Sequence, residues 1–176
     1  MKFNVAQLLI GPTGEVREFE LDDDIGGLDP LIVPRSNLVG WVKFTHAGQN
    51  ILAEGRAKVD LELVCARCAE PFVQSVTVNV LEEFEPSIDA ATGRILEATH
   101  EDPALIIDNH NMLDLSEVIR QNLILAMDQY PHCRQNCPGL CPQCGANLAD
   151  GPCGCKEEPA DARWSALEAL RDKPKS

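Results

Sequence analysis

Basic residues are few in this 176-residue chain: 15 Lys and Arg stand against 28 Asp and Glu, a formal net charge of −13. Residues 82–117 carry ten acids (Glu82, Glu83, Glu85, Asp89, Glu97, Glu101, Asp102, Asp108, Asp114, Glu117) and a single base, Arg94. Affinity for nucleic acid comes largely from Lys and Arg neutralising phosphates. A broad RNA-gripping surface is therefore excluded, and any RNA contact must be local or carried by a basic partner. Long apolar runs are also missing: none approaches the roughly 18 residues that span a bilayer. The N-terminal stretch has one base, Lys2, and an apolar run broken at Gly11-Pro12, so it does not read as a secretory signal. No phosphate-cradling glycine loop or nucleophile elbow occurs, and His46, His100, His110 and His132 have no helical H-x-x-x-H partner. Acids are too numerous for any pair to stand out as a general acid and base. No small-molecule substrate is evident.

Cysteine, in contrast, is abundant, with eight residues. Without a secretory signal, paired cysteines read as metal ligands, because reducing cytosol keeps thiols free; a secreted disulfide framework is the alternative. Cys141, Cys144, Cys153 and Cys155 follow C-x2-C-x8-C-x-C, a compact array that can set four thiolates around one tetrahedral zinc ion. Such a site is closed to water, so it implies folding energy and not catalysis. Cys133 or Cys137 could replace one member. Cys65 and Cys68 resemble half of a second knuckle that Cys133 and Cys137 could complete, tying the tail back to the sheet; His132 is an alternative ligand. One zinc ion is expected and two are allowed. A competing reading of Cys65-x-x-Cys68 is redox, which requires the pair to open a helix; Pro71 and β-rich flanks argue against that.

Patterning predicts an α+β fold, a mainly antiparallel β-sheet or partial barrel with one packed helix and a C-terminal zinc-stapled tail. Residues 3–10 and 15–21 read as two strands around the turn Gly11-Pro12-Thr13-Gly14. Residues 39–45 pair with 51–64 across the turn 47–50, and the alternation in 56–63 marks a strand with one wet face. A strand over 72–84 follows, which places Cys65 and Cys68 at a hairpin tip. Residues 86–103 form an acidic excursion and 104–107 a short strand. A helix over 114–130 is predicted, with Asp114 as N-cap, Glu117 three residues on and Pro131 closing it. Leu115, Val118, Ile119, Leu123, Ala126, Met127 and Tyr130 form its core stripe. Between 132 and 155 only Leu140 and Leu148 are large and apolar, so metal must supply the missing folding energy. A last helix is capped by Asp161 and carries Trp164, Leu167 and Leu170. The chain thus divides into a β-rich core (1–131), a cysteine-rich zinc knuckle (132–156) and a short docking helix with its tail (157–176). Arg67 is placed to meet a phosphate or partner, or to pair with Glu70. Trp41 and Trp164 offer rings that stack on a base; the core is the expected place for Trp41 and a docking contact for Trp164.

The order Cys65-Ala66-Arg67-Cys68 with Pro71-Phe72, the acidic gap, the helix, Cys133…Cys137-Pro138-Gly139-Leu140-Cys141-Pro142-Gln143-Cys144-Gly145, Cys153-Gly154-Cys155 and Asp161-Ala162-Arg163-Trp164 resembles the YceD family. Its members are bacterial and plastid proteins linked to accumulation of large-subunit ribosomal RNA. The family uses Pro where this chain has Ala162. The resemblance covers roughly residues 38–170 and implies a cytoplasmic, non-enzymatic ribosome-biogenesis factor. Its implied partners are the pre-large ribosomal subunit, ribosomal RNA or a basic ribosomal protein. A zinc adaptor without ribosomal role and a C-x-x-C thiol redox protein are the alternatives.

Overall fold

The computed structural model describes residues 1–96 and 102–155. Its elements run β1 (Lys2–Asn4), α1 (Ala6–Ile10), β2 (Val16–Asp23), β3 (Leu38–Ala47), β4 (Asn50–Val64), β5 (Pro71–Pro86), a 3-10 turn (Pro103–Leu105), β6 (Ile106–Ile107), β7 (Met112–Asp114) and α2 (Ser116–Ala126). Five strands form one open sheet in the order β2-β3-β4-β5-β6, antiparallel throughout except for the β5–β6 pair. β1 and β7 make a separate two-stranded ladder. The fold is therefore a mainly antiparallel open sheet with few helices, as the alternation predicts.

Two long strands dominate because period-2 patterning is sustained along both. In β4, Ile51, Ala53, Ala57, Val59 and Leu61 are buried while Arg56 and Lys58 are exposed; in β5, Val76, Val78, Val80 and Phe84 are buried. Their register pairs Ala57 with Val78 and Val59 with Val76, so both apolar sets fall on one face. Val118, Ile119 and Leu123 of α2 pack into the same core, together with Phe44 and Leu8. Phe3, Phe19 and Phe44 meet in mutually tilted contacts with centroids 5.2–5.6 Å apart. Ile25 and Ile32 of the β2–β3 connection are buried in the same core.

Four local expectations need correction. Residues 3–10 are not one strand. Asn4 Oδ1 accepts the Ala6 N–H at 3.1 Å and turns the chain into α1, so β1 ends at Asn4 and pairs with β7 rather than β2. The predicted strand over 104–107 is a 3-10 turn capped by Asp102, with only Ile106–Ile107 extended. The main helix spans 116–126, not 114–130. Asp114 still serves its start, its Oδ1 accepting the Ser116 N–H at 2.9 Å. Glu117 turns away from the cap and binds Arg120 at 2.6 and 2.8 Å. The helix stops at Ala126 and the chain extends from Met127. A residue before proline disfavours the helical region, and the Pro131 carbonyl accepts the Ala66 N–H at 2.8 Å on the β4–β5 tip. Ala126 and Tyr130 are exposed, whereas Met127, just past the helix, still packs against the core with Ile124. Finally, Trp41 is not in the core: it lies on the outer face of β3, 37% exposed.

Candidate metal centres

The β4–β5 connection is a tight knuckle. The Cys65 N–H donates to the Glu70 carbonyl and the Ala69 N–H to the Cys65 carbonyl, each at 2.9 Å. This turn directs the Cys65 and Cys68 side chains to one side. From the other side comes the segment that leaves α2, delivering Cys133 and Cys137. All four sulfurs lie within 4.8 Å of one another, with Cys65–Cys137 at 3.8 Å and Cys68–Cys133 at 3.9 Å. Four sulfurs at about 2.3 Å from one ion at tetrahedral angles stand about 3.8 Å apart. These two separations thus match the edges of a thiolate tetrahedron. Cys65, Cys68 and Cys137 are buried, with Phe72 packed against them.

The second knuckle repeats the first. The Cys141 N–H donates to the Ala146 carbonyl at 2.8 Å and the Gly145 N–H to the Cys141 carbonyl at 2.9 Å. At the equivalent fifth position Gly145 has φ +73° and Ala69 has φ +59°, both left-handed. Cys141 and Cys144 are joined by Cys153 and Cys155, again with all sulfurs within 4.8 Å. Here only Cys141 is buried. The fold therefore gathers the eight cysteines into the two groups that their spacing suggests, and each group could hold a metal ion. His132 is not in either group.

Arg67 joins the two knuckles. Its carbonyl accepts the Leu140 N–H at 3.2 Å and its guanidinium donates to the Cys137 carbonyl at 3.1 Å. No ion pair with Glu70 forms among the described residues. Trp164 and the predicted last helix lie outside the described residues.

The electrostatics of the clusters favour a cation. The N–H groups of Cys133, Cys68 and Arg67 point at the Cys65 sulfur and bring its pKa down to about 5. Cys141 is lowered to about 6 by the N–H groups of Cys144 and Gln143. Their neighbours move the other way. Cys133 is pushed up to about 12 by desolvation and the sulfurs of Cys137, Cys65 and Cys68. Cys155 rises to about 12 through the sulfurs of Cys144 and Cys153. For Cys68 the Glu70 N–H pulls down, but burial with the Cys65 and Cys137 sulfurs prevails and the net shift is upward. Thiolates this close cannot all ionise without a positive charge among them, which a divalent ion supplies. A redox C-x-x-C would sit at a helix start; Cys65 and Cys68 sit in a turn between two strands.

The profile of YceD, described as large ribosomal RNA subunit accumulation protein YceD, matches residues 53–171. The chain belongs to the YceD family. An uncharacterised protein of Mycobacterium tuberculosis is 33% identical over 156 residues, covering 85% of this chain and 72% of the relative. One from Mycobacterium bovis matches equally. A maize protein named large ribosomal RNA subunit accumulation protein YCED homolog 1, chloroplastic, is 28% identical over 172 residues, covering 84% of this chain and 59% of its own length. No solved structure matches the chain. Family membership supports a role in ribosomal RNA accumulation in general terms. Among the described residues, no helix is long and apolar enough to cross a membrane.

Proposed function

We propose that this chain is a non-enzymatic, cytoplasmic factor that helps large-subunit ribosomal RNA accumulate, with zinc in both sulfur clusters. The observation that carries this reading is the pair of closed four-sulfur sites on a YceD-family scaffold. Four protein sulfurs complete a tetrahedral zinc and leave no position for a substrate or an activated water. Borderline-soft zinc suits an all-thiolate set, whereas oxygen-seeking ions do not. In this reading Cys65, Cys68, Cys133 and Cys137 hold one ion, and Cys141, Cys144, Cys153 and Cys155 the other. The ions fix the tail (132–156) to the sheet of the core unit (1–131), and segment 157–176 with Trp164 docks to a partner. A net charge of −13 favours a basic ribosomal protein as one partner on the pre-large subunit. Arg67, exposed and donating one guanidinium N–H to the Cys137 carbonyl, retains guanidinium donors for a phosphate.

The test is genetic and physical together. Cells lacking the chain should show a reduced ratio of mature large- to small-subunit ribosomal RNA, restored by the wild-type chain. In-cell crosslinking of the tagged protein should recover large-subunit RNA or its precursor particles above total RNA. An unchanged ratio, with only non-ribosomal proteins recovered, would leave a zinc-bearing adaptor and overturn the proposal.

A further inference from the structure

We propose that the outer face of the sheet, centred on Trp41, Arg56 and Lys58, is a platform for single-stranded RNA. The inference rests on the ribosomal reading only for which RNA is met in the cell. Its basis is the register. Trp41 on β3 stands directly opposite Arg56 on β4, and Arg56 opposite Asn79 on β5; Val39, Lys58 and Thr77 form the next outward row. The two rows lie about 6.6 Å apart along the strands.

Two cations of this face have no carboxylate partner among the described residues. Arg17, Arg35 and Lys43 each have a carboxylate partner, Glu15, Glu62 and Glu54. Arg56 and Lys58 have none among the described residues, and their cross-strand neighbours are Trp41, Asn79, Val39 and Thr77, all uncharged. The acids of the face are engaged or end its rows: Glu20 and Asp22 lie directly opposite Trp41 and Val39, which separate them from Arg56 and Lys58. Glu18, Glu20 and Asp22 occupy the β2 edge, one strand beyond Trp41. Glu54 binds Lys43, and Asp60 accepts the Ser75 hydroxyl. In a chain of net charge −13, two adjacent uncompensated cations in mid-sheet form a local site complementary to phosphate.

The aromatic ring is equally distinctive. Phe3, Phe19 and Phe44 meet at tilted angles on the core face, whereas Trp41 lies on the opposite face with no ring contact among the described residues. Its setting is held by the backbone. A Cβ on Gly40 would lie 2.1 Å from the Arg56 carbonyl oxygen, so the strands close up at the Trp41–Arg56 pair only because residue 40 is glycine. An open sheet face that offers a stacking ring, two free cations and the neutral donors Asn79 and Thr77 fits unpaired bases and their backbone; a duplex hides its bases from such a ring.

The full chain with its metal would be titrated into a fluorescein-labelled, mixed-sequence single-stranded RNA of about 20 nucleotides, read by anisotropy across a salt series. Arg56→Glu with Lys58→Glu should weaken binding about tenfold or more and reduce the salt slope by about 1.4, two phosphate contacts' worth for a single strand. Trp41→Ala should weaken binding about tenfold with the slope unchanged, and Trp41→Phe should recover most of it. All three side chains are outward, so unchanged melting temperature and metal content would separate contact from folding. Failure of the wild-type chain to bind at low salt, or equal binding by all variants, would overturn the platform. So would variants that lose a polyglutamate probe while keeping RNA, since the occupant would then be an acidic protein. If the face binds RNA as described but cells lacking the chain keep normal large-subunit RNA, the ribosomal reading fails and the platform stands.

Discussion

The two sulfur clusters share a knuckle but differ in what they join. The first draws Cys65 and Cys68 from the β4–β5 tip and Cys133 and Cys137 from beyond α2, so its ligands span 72 residues, and three of the four are at most 4% exposed. The second takes all its ligands from residues 141–155, and three of them are not buried. The first therefore closes a long loop through the core, and the second folds a short segment upon itself. An ion in the first acts on the whole domain; an ion in the second acts locally.

Breaking the first cluster should have the largest effect. Cys137→Ser removes a buried ligand and releases the segment after α2, so stability should fall by more than about 4 kcal/mol, the range reached when a structural metal is lost. Cys153→Ser should also lower the metal content by one ion but leave the main melting transition within about 2–4 °C. Melting curves paired with metal analysis check both. Equal destabilisation by the two variants would mean that the clusters fold as one unit, coupled through the Arg67–Leu140 and Arg67–Cys137 bonds.

Acid should separate the clusters less sharply, and in a defined order. In the ion-free chain, Cys133 and Cys155 hold their protons to about pH 12, whereas Cys65 and Cys141 lose theirs near 5 and 6. Binding an ion at neutral pH expels the Cys133 and Cys155 protons, so affinity falls with pH by about tenfold per unit for each proton expelled. The folded-state pKa values of Cys65 and Cys141 are depressed. Their contribution is present above the ordinary thiol range and is lost as pH falls through about 5 and 6. Loss should come first in the second cluster, three of whose ligands are not buried, and then in the buried first cluster. Zinc release followed with a chromogenic chelator on stepwise acidification reads this order, and simultaneous release would contradict it.

Legibility from sequence followed the range of the interactions. Alternation in 56–63 and 72–84 is a local signal, and it located β4, β5 and the cysteine tip between them. Cysteine spacing likewise separated the compact group 141–155 from the other four, but only the path of the chain after α2 brings Cys133 and Cys137 to that tip. Non-local pairing was hidden. The run 3–10 is apolar enough for a strand, yet its partner, β7, lies more than a hundred residues on, and the Asn4 turn ends it early. Trp41 was misplaced although its signal was present. Leu38, Val42 and Phe44 share one parity of β3 and Val39, Trp41 and Lys43 the other, so alternation outranks the usual preference of tryptophan for the interior.

The smallest effect concerns the fifth knuckle position, where the clusters differ by one methyl group. Ala69 holds φ +59° and Gly145 φ +73° in the same hydrogen-bonded turn. A left-handed alanine costs about 1–2 kcal/mol that glycine avoids, and glycine's extra freedom in the unfolded chain returns about 0.5–1 kcal/mol of that. Ala69→Gly should thus stabilise the whole domain by about 0.5–1 kcal/mol, raising the melting temperature by roughly 1–4 °C. Gly145→Ala should cost a similar amount, but in the local segment: metal affinity of the second cluster should fall several-fold while the main transition stays in place. The space around Gly145 is open, with nothing within 4 Å of a Cβ built there, so the cost is backbone strain and not a clash. If Ala69→Gly left the melting temperature unchanged while Gly145→Ala lowered it, the division between a domain-wide and a local cluster would be reversed.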